Sequence, residues 1–118
     1  MKKILFVLRK PPHSGVYAQE MLDVIMTFAA FDQETSVLLL DNAVFLLKKQ
    51  QKPESAGLKD TAAIFKALPL YNVKTIYTET ESLQERGLTV DSLSEAVIEI
   101  PRNKVGKFFK HFDLVLSG

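Results

Sequence analysis

Two almost unbroken runs of apolar residues constrain the fold of this chain more than any other feature. The first run is KILFVL at residues 3–8, and the second is TSVLLL at residues 35–40. Strands without a polar side are typical of a parallel sheet that helices cover on both faces, whereas half-solvated strands alternate apolar and polar residues. The two runs therefore predict buried central strands of a parallel sheet.

The segment between these runs has the periodicity of a helix. Its main apolar stripe lies on one helical face and consists of Ala18, Met21, Leu22, Ile25, Phe28 and Ala29. A second stripe of Tyr17, Val24 and Phe31 runs beside the first. A helix with two apolar stripes is either covered on two sides or offers one stripe to another subunit.

The rest of the chain continues the alternation of strands and helices. Further strands are predicted at residues 73–78, 96–100 and 113–117. Further helices are predicted at residues 43–49, 61–68 and 103–112, and a helical turn or two within ESLQERGL at residues 81–88. Asp41 and Asn42 offer an N-cap for the first of these helices, and Gly87 offers a left-handed C-cap for the helical turn in ESLQERGL. This order predicts a single three-layer α/β/α domain over residues 1–118, with a mainly parallel five-stranded sheet.

Composition excludes several classes of function. The formal net charge is +1, so no overall field favours nucleic acid or an anionic membrane. The chain has no cysteine, which excludes disulfides, thiolate nucleophiles and cysteine-ligated metals. With His13 and His111 as its two imidazoles, we expect neither a metal site nor a cofactor. No apolar run approaches the roughly 20 residues of a membrane-spanning helix, so we expect a cytoplasmic protein with no membrane partner.

The loop RKPPHSG at residues 9–15 is the first candidate site, because it joins the first strand to the first helix. His13 and Ser14 are its chemically versatile side chains, and Gly15 permits unusual backbone angles. Two interpretations stay open. The free N–H groups at the start of the helix bind a small anion or nucleotide, as in a flavodoxin-like domain, or the loop only connects two elements.

Two charged clusters are also ambiguous. Glu79, Glu81 and Glu85 follow the third strand and are either paired carboxylates for acid and base catalysis or a solvated face. Basic residues at 102–111 alternate with phenylalanines and either contact RNA or form the lysine face of a surface helix. The solvated alternative is favoured in both cases.

Four short motifs occur in a set order along the chain. They are PHSG at residues 12–15, EMLD at 20–23, DNAVFLL at 41–47 and RGL at 86–88. Each is weak alone, but their order and spacing resemble the DsrE/DsrF-like sulfur-relay family, and within it the TusC/DsrF branch. The resemblance covers nearly the whole chain.

The resemblance implies a subunit of a TusBCD-type heterohexamer, with TusB-like and TusD-like sister chains as partners. Such complexes pass persulfide sulfur from a TusA-like donor toward a TusE-like acceptor for 2-thiouridine formation at the tRNA wobble position. A DsrF-like role in sulfur oxidation is the alternative. We do not expect this chain to bind tRNA directly.

In thiol-bearing members of the resembled family, the sulfur-carrying cysteine ends the third strand, about eight residues before the glycine of the RG motif. Counting back from Gly87 gives Glu79. A carboxylate can neither attack a persulfide nor hold its sulfane sulfur. The resemblance therefore implies a non-catalytic accessory subunit with no catalytic residue of its own.

The remaining site candidates follow from the same reasoning. His13, Ser14, Gly15 and Asp41 are candidates for the lining of a groove. The apolar surplus of the first helix makes Tyr17, Met21, Val24 and Phe45 candidates for contact with sister subunits. In isolation, the same surplus allows a homo-oligomer.

Overall fold

A computed structural model describes residues 2–10, 17–31, 33–48, 68, 73–93 and 95–117, with only the backbone described at residues 17–19 and 74. Its strands are β1 (Lys3–Leu8), β2 (Glu34–Leu39), β3 (Val73–Glu79), β4 (Ile98–Ile100) and β5 (Leu114–Ser117). They form one sheet in the order β4-β3-β2-β1-β5, and every pairing is parallel. The predicted α/β fold with a five-stranded sheet is confirmed.

The two central strands are buried as their apolar sequences require. β1 and β2 pair in register from Lys3 opposite Glu34 to Leu8 opposite Leu39. In each strand only the first residue is exposed and the other five are buried. The second strand begins one residue earlier than predicted, because the polar Glu34 lies in register with Lys3 at the solvated end of the pair.

One face of the sheet packs against the long helix α1 (Tyr17–Ala30). Leu22, Ile25 and Ala29 are fully buried there against the alternate β1 residues Ile4, Phe6 and Leu8. The rings of Phe6 and Phe28 meet edge to face with their centroids 5.5 Å apart. The main apolar stripe predicted for this helix therefore faces the core over the described side chains.

The other face carries a second core, which the short helix α3 (Val105–Phe109) covers. Leu5 and Val7 point to this side, as expected from the alternation along a strand. Tyr77, Phe108 and Phe112 form a chain of edge-to-face ring contacts, with centroids 4.6 and 5.1 Å apart. Helices on both faces of the sheet match the predicted layers.

Several element boundaries differ from those predicted. β4 begins at Ile98 rather than at residue 96. The helix predicted at 103–112 is a 3₁₀ turn, Arg102–Lys104, followed by the shorter α3. After α3 the backbone N–H groups of residues 110–112 each donate to the carbonyl three positions earlier, and the Asp113 N–H, directly before β5, donates to the Lys3 carbonyl at 2.8 Å. The helix predicted at 61–68 lies outside the described residues except for the buried Leu68.

The segment after β2 is a 3₁₀ helix, Asp41–Leu47, and the predicted N-cap is wrong. Leu40 occupies the cap position without a side-chain cap bond, and Asp41 is the first helical residue, at a φ of +53°. Asp tolerates this left-handed conformation better than most residues. Its backbone N–H donates to the Ser82 hydroxyl oxygen at 2.9 Å.

The helix after β3 is α2 (Thr80–Glu85), and its predicted C-cap is confirmed. Gly87 has a φ of +68°, and the Leu88 N–H donates to the Leu83 carbonyl at 2.9 Å. This bond and that of the Gly87 N–H to the Gln84 carbonyl form a Schellman motif. Among the described residues, no helix has the length and apolar character needed to cross a bilayer.

Candidate functional site

The carboxyl ends of β1 to β4 meet at one edge of the sheet, because all four strands are parallel. Ligands of open α/β sheets bind at this edge. Here it carries a network of charged and polar side chains. Arg9 follows β1, Asp41 follows β2, Glu79 ends β3, and Arg102 follows β4.

Glu79 is the buried centre of this network, with its side chain 8% exposed. Its Oε1 atom accepts hydrogen bonds from Ser82 Oγ at 2.6 Å and from Arg102 Nε and Nη2 at 3.1 and 3.0 Å. A buried carboxylate is costly unless it is paired with a charge and hydrogen-bonded, and Glu79 has both forms of compensation.

Arg102 hydrogen-bonds to all three glutamates of the acidic cluster, Glu79, Glu81 and Glu85. Its Nη1 and Nη2 atoms donate to the two carboxylate oxygens of Glu85 at 3.0 and 2.8 Å. Its backbone N–H donates to Glu81 Oε1 at 2.9 Å. The cluster is therefore neither a free acid–base pair nor a simple solvated face. It holds the chain after β4 against α2.

The contact between Arg102 and Glu85 shifts the titration of both groups. The hydrogen bond from Arg102, supported by the charges of Arg102 and Arg86, holds the pKa of Glu85 below its usual value. The same hydrogen bond, followed by that to Glu79, raises the pKa of Arg102 above its usual range. Both shifts stabilise the charged forms.

Ser82 links Glu79 to the end of β2. While its hydroxyl donates to Glu79, its oxygen accepts a hydrogen bond from the Asp41 N–H at 2.9 Å. The Asp41 carboxylate in turn lies 3.7 Å from Arg9 Nη1. The left-handed backbone at Asp41 thus directs its N–H to Ser82. A continuous polar chain therefore runs from Arg9 to Arg102.

A second link runs beside this chain. Arg86 Nε donates to Asn42 Oδ1 at 2.9 Å, and Arg86 Nη1 donates to the Ser82 carbonyl at 3.2 Å. The RG motif after α2 thus ties that helix to the turn after β2. The described residues contain no group of three or more His, Asp or Glu side chains arranged to hold a metal ion.

The predicted site residues do not form one site in the structure. Asp41 lies in the network, whereas His13, Ser14 and Gly15 lie outside the described residues. Met21 and Phe45 are half-buried and pack against the first core, while Val24 is 41% exposed. Tyr17 lies in α1, and its side chain is outside the description.

Sequence reasoning missed the role of Arg102 and Ser82. The sequence pattern places Arg102 in the basic cluster of the last helix, whereas in the structure its side chain bonds to Glu79, 23 positions earlier. The available signal was its position directly after a strand and Pro101, at the same sheet edge as Glu79. Parallel topology alone brings these two residues together.

Comparison with known proteins identifies relatives over most of the chain. Residues 2–111 match the sequence profile of the DsrE/DsrF-like family. The chain is 39% identical to the intracellular sulfur oxidation protein DsrF of Allochromatium vinosum over 99 residues, which cover 84% of this chain and 73% of that one. It is 33% identical to a TusC homologue of Pseudomonas aeruginosa over 116 residues, 98% of each chain.

Solved structures agree on the fold. The ychN protein of Escherichia coli superposes with a TM-score of 0.83 at 18% identity, with full coverage of both chains. A protein of unknown function from Methanobacterium thermoautotrophicum superposes with a TM-score of 0.76 at 11% identity, again over both whole chains. At these identities the likeness shows a shared architecture.

Proposed function

The chain belongs to the DsrE/DsrF-like family, and from this premise we propose that it is an accessory subunit of a sulfur-relay complex. In this role it supports and shapes the complex, while a sister chain carries the sulfur as a cysteine persulfide. We assign it no catalytic residue and no cofactor.

The state of Glu79 supports this proposal most directly. Glu79 ends β3, at the position that the family resemblance gives to the sulfur-carrying cysteine. Its carboxylate is buried and held by Ser82 and Arg102. Sulfur transfer needs a thiolate that attacks and then releases a persulfide, whereas this carboxylate is fixed between two donors as a structural anchor.

The pathway that we propose is 2-thiouridine formation in tRNA wobble positions. The relatives named TusC align with nearly the full length of this chain, including that of Escherichia fergusonii at 31% identity over 98% of both chains. A DsrF-like role in sulfur oxidation is the second candidate, and the 39% identity to the Allochromatium protein favours it.

The proposed partners are TusB-like and TusD-like sister chains in a cytoplasmic heterohexamer, with a TusA-like donor and a TusE-like acceptor reached through the complex. Tyr17, Met21, Val24 and Phe45 are the proposed contact residues. Val24 supports this assignment best, because a valine that is 41% exposed on a long helix still has apolar area to bury.

Co-expression with both sister chains tests the role. We expect the three chains to purify together, and we expect persulfide transfer from a TusA-like donor to the sister cysteine to slow when this chain is omitted. Sister chains that assemble and transfer sulfur at an unchanged rate without it would contradict the proposal.

The pathway is tested in cells of the source organism that lack the gene. Loss of 2-thiouridine from total tRNA, measured by mass spectrometry, supports the TusC-like role. Unchanged 2-thiouridine together with loss of sulfur oxidation supports the DsrF-like role instead.

A further inference from the structure

The outer surface of the second half of α1, from Val24 onward, lacks the charges that a solvated helix normally carries. From Val24 to Phe31 the sequence is VIMTFAAF, without a charged residue. Four of these positions are nonetheless exposed: Val24, Thr27, Ala30 and Phe31. Phe31 is 71% exposed. Two turns of a surface helix are therefore apolar on the side that faces away from the core.

Thr27 adds to this character despite its hydroxyl. The Thr27 hydroxyl donates to the Asp23 carbonyl at 2.8 Å, so its one hydrogen-bond donor is used within the helix. The outward surface at this position can then be covered by apolar atoms without leaving a donor unpaired.

The helix α3, on the other face of the sheet, has a charged outer surface and provides a comparison with α1. On and beside α3, Lys104, Lys107 and Lys110 are exposed, while the phenylalanines face the second core. α1 has no comparable face. Its charges are Glu20 and Asp23, both exposed near its start, and the helix contains no lysine or arginine.

We propose that the outer surface of α1 together with the adjoining Phe31, defined by Glu20, Asp23, Val24, Thr27 and Phe31, docks a protein partner that presents an apolar patch flanked by lysine or arginine. The inference rests on the proposed function, because it gives the chemistry of the sister surface that this role requires. The apolar residues provide surface area that is buried on docking. The two carboxylates orient the partner and select for its positive charges.

The negative charges of Glu20 and Asp23 favour a positively charged protein partner over other classes of partner. A nucleic acid or an anionic membrane would be repelled by Glu20 and Asp23. A second copy docked through the same helix would bring four carboxylates together with no base on either helix. A cationic partner instead pairs with both acids, and a lysine or guanidinium over the exposed Phe31 ring adds a cation–π contact.

A synthetic pair of amphipathic helical peptides tests the surface without any sister chain. Both have a leucine face, and the opposite face is all lysine in one and all glutamate in the other. By fluorescence anisotropy, the chain should bind the lysine peptide at least about tenfold more tightly than the glutamate peptide. The variant Glu20→Lys/Asp23→Lys should lose this preference, and Phe31→Ser should weaken binding of the lysine peptide.

A matched variant separates a local surface from net charge. Asp91→Lys/Glu99→Lys changes net charge by the same amount at two exposed positions outside α1, and it should leave lysine-peptide binding within about twofold, since neither residue belongs to the proposed surface and exposed charges outside it are screened by salt. If this control loses binding as strongly as the α1 variant, or if the α1 variant keeps its preference, the proposal fails. Thermal melts show that each variant is folded.

Co-purification with the sister chains then distinguishes the two proposals. A complex that forms with the native chain and dissociates with Glu20→Lys/Asp23→Lys supports both. A complex that tolerates the α1 variant unchanged overturns the docking surface and leaves the accessory role standing. Peptide selectivity that depends on α1, without any complex of the native chain, overturns the accessory role and leaves the surface standing.

Discussion

Arg102 Nη2 lies 3.0 Å from Glu79 Oε1, and the two side chains are unequally exposed. The Glu79 side chain is 8% exposed, whereas that of Arg102 is 47% exposed. The carboxylate depends on the guanidinium for compensation of its burial, while the guanidinium can still be hydrated. The pair is therefore asymmetric, and its two halves should respond differently to mutation.

Arg102→Met should destabilise the fold more than Glu79→Gln. Removal of the guanidinium leaves a buried carboxylate whose remaining partner among the described residues is Ser82, whereas the amide leaves Arg102 bound to Glu85 and solvent. We expect Glu79→Gln to cost about 1–2 kcal/mol of unfolding free energy. Urea denaturation of the two single variants and the double variant checks this order, and equal losses would contradict the asymmetry.

Ser82→Ala should cost about 1–3 kcal/mol, because its buried hydroxyl serves two partners. The variant leaves the Asp41 N–H without its acceptor and Glu79 without one donor. Ser92→Ala is the matched control, since that hydroxyl caps a short exposed turn, and it should cost less. Amide exchange at Asp41, faster in the first variant alone, reports the local effect.

The contribution of Glu85 to stability should depend on pH in a defined direction. Its pKa in the folded state lies below the usual value of 4.5, so its pairing with Arg102 stabilises the fold fully above that value. This stabilisation falls as pH drops through the lowered pKa. The stability difference between the native chain and Glu85→Gln should therefore shrink from pH 6 toward pH 3, and a constant difference in urea titrations would contradict it.

Glycine substitutions at two positions should have opposite signs. Gly87 has a positive φ, so Gly87→Ala should cost about 1 kcal/mol even though an added Cβ meets nothing within 4 Å. Gly106 lies inside α3 with equally open space, so Gly106→Ala should stabilise by about 0.5–1 kcal/mol through helix propensity. Differential scanning calorimetry measures both changes.

Glu79→Cys should place a thiol beside Arg102 and Ser82. We expect the guanidinium to lower the pKa of this thiol below its usual value of about 8.5, as positive neighbours do. The rate of alkylation by iodoacetamide against pH measures it. Glu79→Cys/Arg102→Met is the control, and the same titration in both variants would show that Arg102 exerts no such effect.

The sequence predicted those features that depend on local periodicity. The apolar run at β1 and the stripe from Met21 to Ala29 each encode one buried surface, so the strand and the inner face of α1 were predictable. The C-cap at Gly87 was predictable for a related reason, because a single residue type favours that backbone conformation.

The polar network was not predictable in the same way. Glu79 and Arg102 meet because β3 and β4 are adjacent and parallel, and no spacing along the chain encodes a pairing across 23 positions. The predicted N-cap at Asp41 failed for a similar reason. Its backbone takes a left-handed conformation and donates to Ser82, 41 positions away, and this tertiary contact outweighs the local preference.

The strand order also has a consequence for how the chain acquires its structure. β5 pairs with β1, so that Ile4 lies beside Leu114, a separation of 110 positions. Next to this pairing, the Lys3 N–H donates to the Asp113 carboxylate at 2.7 Å. During synthesis, one edge of the apolar β1 has no neighbouring strand until residues 114–117 leave the ribosome. Such long-range pairing slows folding, and until it forms the unpaired edge of β1 is a site at which nascent chains can aggregate.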